Sequence, residues 1–176
     1  MLKRYLLSIS IFFILSCSSS VNNTESVITE PVEKPDQMSW NVNISITHSG
    51  KIRANIKADY LEQYSDKTTI SLENNVKIDF YNEEEKLITT LFADKANINE
   101  RINFLQATEN IIVESDSGVT LHTDTLTWDS EKEIIFTEDS VMITTESNDT
   151  LYGLGFQSDM NMERWKILKP RGVTGR

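Results

Sequence analysis

The chain has 176 residues, a formal net charge of −10, 39% hydrophobic residues and a single cysteine. One cysteine excludes an intramolecular disulfide, so burial and backbone pairing must stabilise the fold. The negative charge excludes electrostatic attraction to nucleic acid or to anionic membranes. The length suits one domain with a sizeable core.

The N-terminus is typical of a secretory signal. Lys3 and Arg4 precede an apolar run from Leu6 to Leu15. About ten apolar residues suit a signal segment, whereas a membrane-spanning helix needs roughly 20. Residues 14–17, Ile-Leu-Ser-Cys, have the form of a bacterial lipobox. We therefore predict a signal peptide over 1–16 and lipidation of Cys17; an ordinary secretory signal or a short uncleaved anchor are the alternatives.

Residues 17–39 differ in composition from the C-terminal part of the chain. They are rich in serine, asparagine, threonine and glutamate, and Pro31 and Pro35 disfavour a helix. Such a segment is typical of a flexible tether, here a lipidated one. From residue 40 to 176 the chain shows short alternating segments, such as Val76 to Phe80 and Val141 to Thr144. This period of two predicts a single all-β domain of antiparallel strands, without an amphipathic helix.

The β region contains an internal repeat. A small residue followed by aspartate recurs at spacings of 35, 30 and 35 residues, at Asp59, Asp94, Asp124 and Asp159. A hydrophobic strand begins 17 residues after each of the first three aspartates, at Val76, Ile111 and Val141. Polar clusters precede these strands, so each repeat predicts strand, turn, strand, turn, with the aspartates hydrogen-bonded to turn backbone.

The order of these motifs resembles the LptC family of lipopolysaccharide export. The resemblance rests on the small-Asp repeat, the segment DTLYGLGFQSD at 149–159 and Trp165-Lys166-Ile167, and it covers about residues 50–174. It implies an OstA-like open β-jellyroll tethered at the inner membrane, without enzymatic activity or a cofactor. It further implies transfer of lipopolysaccharide from an inner-membrane ABC transporter to a similar jellyroll in a periplasmic bridge.

A jellyroll with splayed sheets would hold acyl chains in an apolar slot, where each buried methylene contributes roughly 0.8 kcal/mol. Alternation and the repeat nominate the lining, with ordinary core packing as the alternative for each residue. The candidates are Val76, Ile78, Phe80, Leu91, Phe104, Ile111, Val113, Leu121, Phe136, Val141, Ile143 and Phe156.

Open sheet edges would dock the partners by strand pairing. We expect the first edge near Lys51 to Asp59 and the last near Trp165 to Thr174. The resemblance implies that the early edge faces the transporter and the late edge the bridge protein. The candidate edge residues are Ile52, Ala54, Ile56, Trp165, Ile167 and Val173.

The predicted cellular location is the periplasm, with a lipid anchor. Better-known members of the family use an N-terminal transmembrane helix, whereas this chain is predicted to carry a lipid. Under enteric sorting rules Ser18 permits export to the outer membrane, although the resemblance favours the inner membrane. An outer-membrane or bridge relative is therefore one alternative.

Catalytic and metal motifs are not evident in the sequence. His48 and His122 have no HxH or HExxH spacing, and no G-x-S-x-G or phosphate loop occurs. We therefore predict neither an enzyme nor a metal protein. A non-catalytic sugar-binding or scaffolding lipoprotein with a β-sandwich fold is the alternative from a different functional class.

Overall fold

The structure is a computed structural model that describes residues 34–64, 67–99, 101 and 104–172. The predicted signal peptide, Cys17 and the tether up to residue 33 lie outside the described residues. None of the described residues belongs to a helix long and apolar enough to span a membrane. The first strand begins at Gln37, within the segment predicted as tether.

The described residues form one antiparallel sheet whose nine strands follow chain order. This confirms the prediction of an all-β, open jellyroll-like fold. The strands are β1 (Gln37–His48), β2 (Lys51–Gln63), β3 (Thr69–Tyr81), β4 (Leu87–Asn99), β5 (Phe104–Ser115), β6 (Thr120–Asp129), β7 (Ile134–Thr144), β8 (Thr150–Asp159) and β9 (Trp165–Arg171).

An irregularity interrupts the strand pairing at a similar level from β2 to β8. The register shifts between Lys57 and Tyr60, and again between Glu73 and Val76. Corresponding shifts occur in β4, β5, β6 and β7. Because a β-bulge bends its strand and increases local twist, aligned bulges fold the whole sheet along one line.

The polar clusters predicted as turns are these bulges, so that prediction is wrong. Asn74 and Asn75 have φ values of 62° and 50°, and Glu109 and Asn110 have 68° and 52°. All four residues lie inside continuous strands. Turns and bulges both need left-handed backbone, which asparagine tolerates better than most residues, so the same residue types mark either one.

Two of the repeated aspartates fasten the bulges. The Asn75 amide donates to the Asp59 carboxylate at 2.6 Å, and the Asn110 amide donates to Asp94 at 2.5 Å. These bonds join side chains of neighbouring strands instead of capping a turn. Asp159 is the repeated aspartate that is hydrogen-bonded to turn backbone as predicted. Its carboxylate accepts bonds from the backbone N–H groups of Glu163 and Arg164.

The bend brings distant strands together. In a flat sheet, Thr89 on β4 and Met160 after β8 would be roughly 19 Å apart, four strand spacings. Instead the Thr89 hydroxyl donates to the Met160 carbonyl oxygen at 2.5 Å. Arg53 on β2 likewise forms an ion pair with Glu133, which precedes β7. One sheet therefore folds into two facing layers.

We name the two layers sheet I and sheet II. Sheet I consists of the half-strands that carry Leu61, Leu72, Ala96, Ala107, Leu126 and Phe156, all of them buried. Sheet II consists of the half-strands that carry Ile56, Ile78, Leu91, Val113, Leu121 and Ile143, which are also buried.

The position of the first edge strand differs from the prediction. Residues Ile52, Ala54 and Ile56 lie on β2, which pairs with β1 on one side and β3 on the other. Ala54 and Ile56 are fully buried. The early edge is therefore β1, and these three residues do not form it.

Replacement of Asn110 tests the bulge backbone. Asn110→Gly and Asn110→Val both remove the bond to Asp94, but only valine is strained at φ 52°. We expect the valine variant to be less stable than the glycine variant by about 1–2 kcal/mol in urea unfolding. At the exposed Gln106, which pairs regularly with both neighbouring strands on the same strand β5, valine should be the more stable of the two. Equal stability of the two Asn110 variants would contradict a strained bulge.

Asp129 caps the turn that follows β6 and fixes the end of that strand. Its carboxylate accepts bonds from the backbone N–H groups of Glu131 and Lys132 and from the Lys132 ammonium, the last at 2.7 Å. The side chain is 3% exposed. The bond from Lys132 holds the pKa of the Asp129 carboxyl below its ordinary value against the opposing effect of burial.

Asp129→Ala is expected to destabilise the domain by about 1–3 kcal/mol at pH 7, because the turn donors lose their acceptor. Since the folded-state pKa is lowered, the contribution is complete above the ordinary carboxyl pKa of about 3.9. It is lost as pH falls through the folded value. Urea unfolding of wild type and Asp129→Ala from pH 7 down to pH 3 measures how the difference between their stabilities decreases. The exposed Asp124 is the control, and its alanine variant should match wild type within about 0.5 kcal/mol.

Candidate functional site

The facing layers enclose an interior lined by aliphatic rows. On sheet II, one row runs in register across seven strands through Ile44, Ile56, Ile78, Leu91, Val113, Leu121 and Ile143. On sheet I, a second row runs from β3 to β7 through Ile70, Ile98, Leu105, Trp128 and Ile135. Burial of each such side chain contributes about 1.5–3 kcal/mol, so these rows are the main stabilising element.

Most residues nominated as slot lining lie on these inner faces. Ten of them are at most 3% exposed: Val76, Ile78, Phe80, Leu91, Ile111, Val113, Leu121, Val141, Ile143 and Phe156. They form part of one continuous hydrophobic core. In this closed arrangement the two layers pack directly against each other, so the residues stabilise the fold whether or not they also contact a ligand.

Two nominated aromatics lie on the other face. Phe136 stands between the buried Ile135 and Thr137, and successive strand residues point to opposite faces. Phe104 alternates in the same way with Leu105, and the two phenylalanine rings meet edge to face with centroids 6.5 Å apart. The expectation that Phe136 lines the slot is therefore wrong. Phe104, the first residue of β5, borders the interior only at its mouth.

The interior opens at the β1 end. A pocket of about 270 Å³ lies there, between the end strand β1 on sheet II and the facing strands of sheet I. Its walls combine apolar side chains with three uncharged polar residues. They are Ile44, Ser45, Ile46, Ile70, Ile98, Asn99, Phe104, Leu105, Trp128 and Ser130. Sequence reasoning missed most of them, although the alternation Val42-Asn-Ile-Ser-Ile46 is a signal that would have found the β1 residues.

Trp128 joins this pocket to the core. Its ring meets the Phe80 ring edge to face, with centroids 5.1 Å apart and an angle of 73°. The two residues lie on β6 and β3, so the contact connects sheet I with sheet II. Trp128 is 5% exposed, and its indole Nε1 has no hydrogen-bond partner among the described residues.

The β1 edge carries an exposed tryptophan that packs beside a half-buried tyrosine of β2. Trp40 is 65% exposed, and its ring lies 5.7 Å from that of Tyr60 on β2. The Tyr60 hydroxyl donates to Glu62 at 2.7 Å. This hydrogen bond is the main cause that raises the pKa of Tyr60 to about 12.

The β9 edge has a different character. Lys166, Lys169 and Arg171 are exposed, and residues 164–172 contain no acidic side chain. Trp165 and Ile167, nominated for the late edge, lie on this end strand with their side chains half-buried. The Trp165 ring stacks near Phe156 with centroids 6.3 Å apart. Val173 lies outside the described residues.

Within the described ranges, no group of three or more histidine, cysteine, aspartate or glutamate side chains has an arrangement suited to a metal ion. The chemistry that the interior offers is apolar burial with a few neutral polar groups.

The comparisons with known proteins agree with this architecture. A family model described as "Lipopolysaccharide-assembly, LptC-related" matches residues 5–174, which is nearly the whole chain. No curated protein matches the sequence. The chain therefore belongs to the LptC family, whose members are non-catalytic periplasmic components of lipopolysaccharide transport associated with the inner-membrane transporter.

Proposed function

We propose that this protein accepts lipopolysaccharide from the inner-membrane ABC transporter and passes it to a jellyroll bridge protein, with the acyl chains held between sheets I and II. The observation that carries this proposal is the pair of apolar inner faces, which pack together without pairing of the two end strands and leave a pocket at the β1 end. Each methylene that enters contributes roughly 0.8 kcal/mol.

The distribution of contacts favours entry from the β1 end. No ion pair is described for β1 itself: the ion pair between Arg53 and Glu133 begins on the neighbouring strand β2, and the bond from Thr89 to Met160 lies further away, on β4. The β1 wall of the pocket instead consists of the half-buried Ile44 and Ile46. Separation of apolar surfaces there breaks no recorded ion pair, and an acyl chain would replace the contacts that are lost.

The charge of the protein requires that the headgroup stay outside. The pocket lining contains no cationic side chain, and the whole chain has a net charge of −10. A buried phosphate without a partner would be strongly unfavourable. The phosphorylated sugars would therefore remain in water while the acyl chains enter.

The two end strands supply the partner surfaces in this proposal. Within the described part of the chain, β1 and β9 each pair on one side only, so their free edges can extend the sheet into another protein. β1 would face the transporter and β9 the bridge protein. Lipidation of Cys17 and a tether between Cys17 and the start of β1 would hold the domain at the inner membrane.

Photo-crosslinking at neighbouring residues tests the slot. A photoreactive amino acid at Ile44, which lines the pocket, should give a lipopolysaccharide adduct in irradiated cells. The same group at the exposed Asn43 should give none, because it points to the opposite face. Phe80 and the outward Lys77 form a second matched pair. Equal adducts at inner and outer positions, or none in folded protein, would leave the scaffolding alternative.

Proline substitution tests the β9 edge. Pro170 lies opposite Gly153 on β8 and has no N–H to donate, so the backbone of Pro170 faces the free edge. Leu168 lies two residues earlier, and its backbone therefore faces the same edge. Leu168→Pro should therefore reduce binding of the bridge protein at least tenfold in calorimetric titration. It should leave the urea unfolding of the domain within about 1 kcal/mol of wild type.

Lys169→Pro is the control, because Lys169 pairs with Leu154 and its N–H faces β8. This variant should destabilise the domain itself. If Leu168→Pro bound the bridge protein with wild-type affinity, this would show that β9 does not dock by strand addition.

A further inference from the structure

The indole N–H of Trp128 is a buried donor with no acceptor. Among the described residues it is the one buried side-chain nitrogen or oxygen without a hydrogen-bond partner in its surroundings. Buried polar groups are nearly always paired, so an unpaired one requires an explanation. Trp128 also lines the pocket at the β1 end.

We propose that the Trp128 N–H is the hydrogen-bond donor to a neutral oxygen, either a carbonyl or a hydroxyl, on the acyl chain that enters the slot. This inference rests on the proposed function and assigns the residue that recognises the cargo within it. Trp128 is then a specificity-determining residue, since it distinguishes an oxygen-bearing acyl chain from a plain hydrocarbon.

The pocket chemistry defines the kind of acceptor. An indole N–H only donates, so its partner must be an acceptor. Among the described residues, no lysine, arginine or histidine lines the pocket, and the neighbouring Asp129 carboxylate is already paired with Lys132. A phosphate or carboxylate there would be desolvated without a counter-charge. An ester or amide carbonyl, or a hydroxyl group, meets the requirement without that penalty.

The position of the ring also links recognition to opening. Nε1 is inaccessible to solvent in the closed arrangement, so neither water nor ligand reaches it until the layers separate. The edge-to-face contact with Phe80 joins the Trp128 ring to the opposite layer, so separation of the layers loosens it. An acyl oxygen then satisfies a donor that has no partner in the closed arrangement.

The first test compares two ligands of matched chain length, methyl decanoate and dodecane. Their affinities for the full chain are measured by displacement of a fluorescent apolar probe, N-phenylnaphthylamine. Trp128→Phe keeps an aromatic ring but removes the N–H. We expect this variant to lose about tenfold in affinity for the ester and to bind dodecane as wild type does.

The second test needs no substitution at the site. In a ¹H–¹⁵N spectrum of the wild-type full chain, methyl decanoate should move the indole signal of Trp128 downfield, and dodecane should not. The indole signals of Trp40 and Trp165 serve as internal references, because neither residue lines the pocket.

The outcomes separate this inference from the proposed function. Equal loss of ester and dodecane affinity in Trp128→Phe would overturn the inference, because the ring would then act through packing alone. An unmoved Trp128 signal with bound ester would overturn it as well, and lipid transport would stand. If wild type binds neither ligand and no lipopolysaccharide, both fail.

Discussion

The aligned bulges are the constraint on which the rest of this structure depends. A nine-stranded meander has one apolar face, and it can bury that face only against another protein or against itself. The bulges bend the strands at one level and so fold the sheet onto its own apolar face. Hydrogen bonds such as that from Asn110 to Asp94 join neighbouring strands at the bend. Core, slot and edges are consequences of this single bend.

Folding a sheet onto itself differs from closing it into a barrel. A barrel pairs its first and last strands and has no edges. Here β1 and β9 remain end strands, and the layers do not cover each other fully at β1, where the pocket lies. The geometry that leaves the pocket at β1 is thus the same geometry that leaves backbone unpaired at the two end strands. A closed relative would lose both properties together.

Alternation in the sequence predicted the strand class and placed ten of the twelve nominated lining residues on the inner faces, because side-chain direction follows a period of two. The row on sheet I was not nominated. The repeat located the bend correctly but not its nature, since Asn74 and Asn75 suit a turn or a bulge equally well. β1 was missed because it precedes the first repeat and contains many polar residues. Phe136 was assigned by its place in the repeat and its size, and neither property determines the face on which a strand residue points. The unpaired N–H of Trp128 follows from packing across distant strands, which no local pattern reports.

The two ends of the interior differ in charge, and this difference bears on the direction of transfer. At the β1 end the strand carries no lysine, arginine, aspartate or glutamate, and the pocket lining is neutral. At the other end β9 carries Lys166, Lys169 and Arg171 on a chain that is acidic overall. An anionic headgroup that remains in water is repelled by most of the protein surface and is attracted by the β9 end. In the proposed function, apolar burial would provide affinity along the slot, while electrostatics would favour movement of the headgroup towards the edge proposed to contact the bridge protein.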